Sequence, residues 1–127
     1  MDVLTRYAPQ LLGVLRVVTG LQFLEHGTAK ILHFPHVAQY DHLAILSFPA
    51  GIAGLLEIVL GVLIVIGLFG RVAAFIASGE MAVAYFMAHF PHGFYPLLNG
   101  GDTAICFCFI FLYIAAAGPG AFALNQK

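Results

Sequence analysis

The sequence predicts an all-α transmembrane four-helix bundle in the N-in/C-in orientation, built as a single membrane domain over residues 1–127. Three observations carry that reading. Hydrophobic residues fill 61% of the positions and charged residues 9%, whereas a water-soluble domain carries about 25% charge. The mean hydropathy is +0.97, which suits lipid as the solvent. The apolar residues gather into four runs of bilayer length, about 20 residues each for a hydrocarbon core of about 30 Å, separated by turns rich in Pro, Gly, His and Asn. A formal net charge of -1 leaves no polybasic surface, so nucleic acid is not expected as a partner.

The first helix is expected over about 9–32, with Pro9 in its first turn. At 100° per residue, Arg16, Thr19, Gly20, Phe23, Gly27 and Lys30 share one stripe with His26 at its edge, and this stripe must face protein rather than lipid. Glu25 falls on the opposite side, near the membrane surface. This run is longer than a signal sequence and lacks a cleavage-like end, so it is expected to remain as a membrane helix. Residues 33–47 form a polar connector with a short surface helix. The second helix, about 48–68, lines up Ala50, Ala53, Gly54, Glu57 and Gly61, a small-residue face around one carboxylate.

A tight turn at Phe69-Gly70-Arg71 makes the third helix, about 71–90, an antiparallel neighbour of the second. Its stripe is Ala73, Ala77, Glu80, Ala84 and Met87. Pro91, Pro96 and Asn99-Gly100-Gly101 break the chain, Asp102 favours the start of a fourth helix over 102–117, and Gly118-Pro119-Gly120 stops it. Arg6, Arg71 and Lys127 stand at one end against Lys30 at the other, which puts both termini inside. Trp is absent, so Tyr7, Tyr40, Tyr85, Tyr95 and Tyr113 with the phenylalanines take the interfacial positions. Cys106 and Cys108, two apart on one helix, point to nearly opposite sides. They are expected to be packing residues rather than a disulfide or redox pair.

The buried charges are the chemistry-bearing feature. Glu57 and Glu80 lie near mid-helix and Arg16 about 6 Å from that depth, a gap an arginine side chain spans. Unpaired, each costs about 2.5–3.5 kcal/mol at the centre of a membrane helix, so Arg16, Glu57 and Glu80 are expected to form one buried polar core. One cation facing two carboxylates leaves a charge imbalance, so one acid is expected to retain a proton. The alternative role of this core is helix glue. His26, Lys30 and His89 are placed at the mouth of a pocket with that core as its floor, an apolar compartment ending in protonatable groups that suits a quinone or a similar amphiphile. His33, His36 and His92 are the only further metal-ligand candidates, and neither a metal nor haem is expected from their spacing.

The segments GLQFLEHGTAKI (20–31), LEIVLGVLIVIGLFGRVAAF (56–75), MAVAYFMAH (81–89), FYPLLNGGD (94–102) and AAGPG (116–120), taken together, resemble the DoxX family over essentially the whole chain. The resemblance implies a four-helix protein of a bacterial inner membrane. It also implies a link to thiosulfate:quinone oxidoreduction as a small subunit, or to other membrane redox complexes. Carried over by motif, it marks His26, Gly27, Lys30, Glu57, Arg71, Asn99 and Asp102. The acid after Asn-Gly-Gly is Asp102 where the family usually has Glu, one methylene longer, and Ala123-Leu124-Asn125 stands where Ser-Leu-Asp is usual. Asn99 and Asp102 thereby join the pocket residues. The expected function is a membrane subunit or accessory of a redox system, with a redox partner subunit, a homo-oligomeric state and a bound quinone. The alternatives are a non-catalytic membrane scaffold or carrier and an outward-facing metal- or proton-linked transporter.

Overall fold

A computed structural model describes residues 1–127, and they form helices without strands. In chain order these are α1 (Asp2–Arg6), α2 (Ala8–Ile31), α3 (Ala50–Ile66), α4 (Gly70–Ala84), α5 (Pro96–Asn99) and α6 (Asp102–Ala117). The four long helices alternate in direction. Gly20 faces Ile64 and Val65 while Gly27 faces Gly54 and Glu57, so α2 and α3 run antiparallel. Likewise Arg71 reaches Ala115 and Ala116 while Ser78 reaches Cys108, which makes α4 and α6 antiparallel.

Packing in this molecule is inverted relative to a protein that folds in water. Only 28 residues are buried, and many of them are glycine, alanine or polar. The outward positions of the long helices are large and apolar: Leu11, Val14, Val18 and Leu21 on α2, Val59 and Val62 on α3, Val72 and Phe75 on α4, Phe109 and Leu112 on α6. A soluble surface exposes apolar side chains singly, not as a continuous belt.

Small residues set the helix spacing. A Cβ added to Gly27 would lie 2.8 Å from the Gly54 carbonyl oxygen and the Ile58 nitrogen, and one added to Gly61 would lie 2.9 Å from Leu24 Cα. Backbones this close need glycine on the contact face. On the other side, Ala73, Ala74 and Ala77 of α4 are buried, and Ser78 Oγ donates to the Cys108 carbonyl at 2.7 Å, stapling α4 to α6. Phe23 joins the two halves. Its ring meets Phe107 and Phe111 edge-on at 5.8 and 5.0 Å, a favourable aromatic geometry that anchors α2 against α6.

Several boundaries differ from the sequence expectation, each for a local reason. α3 begins at Ala50 behind Pro49, and the 33–47 connector contains a single 3-10 turn, Ala38–Tyr40, instead of a surface helix. The third helix leaves α geometry after Ala84. A π turn at Tyr85–His89 and a 3-10 turn at Phe90–His92 carry it on. The wider π turn rotates the later side chains away from the 100° register, so Met87 is exposed rather than on the packed stripe. Gly70–His92 is the one helical stretch long and apolar enough, by length and composition, to cross a membrane, and α3 and α6 are shorter apolar helices.

Beyond α6 the chain folds back over the end that carries both termini. The Ala121 amide donates to the Pro9 carbonyl (2.9 Å), and the Leu124 and Asn125 amides donate to Ile66 and Gly67 carbonyls (3.2 and 3.1 Å). Arg71 adds bonds from its guanidinium to the carbonyls of Ala115, Ala116 and Gln126. Gly67 makes this approach feasible. It closes α3 at φ +72°, and a Cβ there would sit 2.4 Å from Ala123 Cβ.

Candidate functional site

Arg16 does not join the two glutamates. It is fully buried, but its guanidinium turns toward the terminal end and donates to the carbonyls of Pro119, Ala121 (3.0 Å) and Phe122 (2.9 Å). The helix stop at Gly118-Pro119-Gly120 releases these carbonyls from helical bonding, and a planar fork with several donors matches them. The expected Arg16–Glu57–Glu80 core is therefore corrected. Arg16 is a clamp on the C-terminal segment, and backbone dipoles rather than a carboxylate surround its charge.

Lys30 takes the place assigned to Arg16. Instead of standing at a pocket mouth it turns inward, with Nζ 2.6 Å from Glu57 Oε1. The close approach of α2 and α3 explains this, because Lys30 Cβ rests 3.0 Å from the Cβ position of Gly54, one turn from Glu57. Glu57 is 1% exposed and Lys30 14%, so the carboxylate is the sealed member and the lysine the outer one. Glu80 comes from α4 to lie beside Glu57. With both acids ionised, Glu57 Oε2 and both Glu80 oxygens are buried without a donor. The Tyr40 ring, on the 3-10 turn of the connector, lies 6.0 Å from Lys30 Nζ and covers the site from outside.

His89 and Asn99, expected beside the pocket, instead knot the loop between α4 and α6. The Asn99 side chain donates to Tyr85 Oη (3.1 Å) and to the Gly93 carbonyl (2.9 Å) and accepts from the Gly101 amide (2.8 Å). His89 Nδ1 bonds the Asn99 carbonyl at 3.2 Å. These polar groups are used by the chain itself.

His26 and Asp102 do meet in one place, a groove of about 400 Å³ between α2 and α6 lined by Gln22, Glu25, His26, Asp102, Thr103, Cys106, Phe107 and Ile110. His26 Nδ1 is 2.8 Å from the Gln22 carbonyl. A carbonyl accepts only, so this nitrogen carries a proton, and in the neutral ring Nε2 is the acceptor. The ring stands edge-on to Phe107 at 5.5 Å. Glu25 faces this groove, and Cys106 is exposed in it rather than packed, with Cys108 half-buried. The sequence signal for Gln22, Glu25, Thr103 and Cys106 was only their polarity on otherwise apolar helices. A larger groove of about 590 Å³ at the terminal end, between Pro9 and Tyr113, is lined by no acid, histidine or cysteine.

His36 pairs with Asp41 at 2.6 Å on the surface, and His33 and His92 are exposed. No three His, Cys, Asp or Glu side chains converge at ligating distances.

A belt of large apolar side chains around an interior of glycine, alanine and paired charge defines a helical membrane protein. The chain belongs to the DoxX family, whose pattern matches residues 11–90, the stretch from α2 through the π turn that supplies Lys30, Glu57 and Glu80. It is also 42% identical over 130 residues to an uncharacterized protein of Haemophilus influenzae, covering 100% of this chain and 97% of that protein. No solved structure matches the chain.

Proposed function

We propose that this protein crosses a bacterial inner membrane four times with both termini inside, and that it serves a membrane redox system as a subunit that holds a quinone-like amphiphile in the α2/α6 groove. The observation that carries this reading is the groove itself. It lies between two apolar helices and presents an imidazole at His26, a hydroxyl at Thr103 and an aromatic wall at Phe107. A quinol hydroxyl would donate to His26 Nε2, a quinone carbonyl would accept from Thr103, and the isoprenoid tail would stay in lipid. The orientation rests on charge. Arg6, Arg71 and Lys127 lie at the terminal end, Arg16 is clamped there, and Lys30 is engaged by Glu57, which leaves the opposite end without a free lysine or arginine.

Purified protein in detergent, titrated with a short-chain quinone, is expected to bind it, with affinity falling about tenfold in His26→Ala as one hydrogen bond is lost. Binding that survives His26→Ala and vanishes in Glu57→Ala moves the ligand into the buried site. No binding at all favours the second reading, a non-catalytic scaffold. The observation on the scaffold's side is that Arg16, Arg71 and Asn99 all spend donors on their own chain.

A further inference from the structure

We propose that Glu57 and Glu80 form a proton-binding site that holds one exchangeable proton between two carboxyl groups, with Lys30 balancing the single remaining negative charge. Three observations converge. Glu57 is 1% exposed and ion-paired through Oε1 alone, so its second oxygen is buried without a donor. Both Glu80 oxygens are in the same condition, and Glu80 is a neighbour of Glu57. Lys30 from α2 is the one cation ion-paired to either acid, at 2.6 Å from Glu57 of α3. Two ionised carboxylates have no hydrogen to share, whereas one proton turns an acceptor–acceptor contact into a charge-assisted O–H···O bond.

Charge counting reaches the same answer independently. Two anions beside one ammonium leave a net charge of -1 in a site walled by apolar helices, and such a site sheds uncompensated charge by taking up a proton. One proton makes the triad neutral, so the site's proton number is set by how many lysines it contains. This site is separate from the His26 groove and its occupancy does not depend on a ligand there.

Infrared spectra of the full-length protein in lipid nanodiscs at neutral pH test the count. The other acids, Asp2, Glu25, Asp41 and Asp102, are exposed, so a protonated-carboxyl stretch that the variants below abolish reports the buried pair. The wild type is expected to show one such band, shifting on transfer to D2O. The isosteric variants Glu57→Gln and Glu80→Gln each leave one acid opposite Lys30 and are expected to lose the band. Lys30→Met removes the balancing charge and is expected to raise the band area about twofold, as both acids become protonated. No protonated-carboxyl band in the wild type overturns the proposal, and so does an unchanged area in Lys30→Met. A quinone-binding result of either sign leaves this count untouched, so the two readings fail separately.

Discussion

Two inward-turned cations, Arg16 and Lys30, sit on the same stripe of α2 and solve the same problem in opposite ways. Arg16 spreads its charge over the carbonyls of three residues from the returning C-terminal segment, and it needs no counter-ion because oriented dipoles surround a delocalised, weakly hydrated fork. Lys30 concentrates its charge on a single Glu57 oxygen, and a second acid, Glu80, crowds in behind. The first arrangement is well supplied with acceptors and fastens one part of the chain to another. The second has more acid than cation and leaves oxygens unpaired. The difference teaches where to look for chemistry in an apolar interior: at the unbalanced charge, not at the most deeply buried one.

The comparison breaks most visibly at Arg16. Arg16→Met strips three carbonyls of the C-terminal segment of their charged donor and is expected to cost on the order of 3 kcal/mol, read as a lower Tm and as proteolytic release of the segment after Gly118. Arg16→Lys is expected to restore little, since one ammonium does not reproduce the fork. Next in size, Gly27→Leu forces α2 off α3 and is expected to cost about 2 kcal/mol. It should break the Lys30–Glu57 pair while the C-terminal segment stays protected, and opening of both regions together would show that they are not independent. Lys30→Met is expected to cost about 1 kcal/mol, below the usual cost of a broken buried pair, because a second proton takes the place of the lost charge. A loss as large as that of Arg16→Met in denaturation measurements would erase the distinction. The smallest effect falls outside both regions and has the opposite sign. Gly79 on α4 is exposed and has nothing within 4 Å of an added Cβ, so Gly79→Ala is expected to raise stability by about 0.5–1 kcal/mol in the same assay.

Helical periodicity made the α2 stripe legible before any coordinates. Arg16, Thr19, Gly20, Phe23 and Gly27 are all buried. Glu57 was legible for the same reason, as a carboxylate on a glycine-lined face. Partner choice was not. Depth matching paired opposite charges, and it had no means of counting the backbone carbonyls that a helix stop would release toward Arg16. Lys30 was misplaced because its position near a helix end suggests an outward reach, whereas the glycine contact between α2 and α3 lets its stem turn inward. Met87 failed on geometry alone, since the π turn at Tyr85–His89 interrupts the period on which the stripe was drawn. Asn99 carried a visible turn signal, but the Tyr85 and Gly93 bonds that consume its side chain come from elements brought together only by folding.

The Arg16 clamp also orders events in the life of the chain. Three of its four acceptors lie 103 to 106 positions downstream and the fourth, the Val65 carbonyl, 49, so the ribosome delivers the guanidinium long before most of what receives it. During that interval α2 carries a charged group that lipid disfavours. A chain interrupted before Pro119 has only the Val65 carbonyl among these acceptors. Only the finished chain supplies Arg16 with the full set of carbonyls that surrounds its charge.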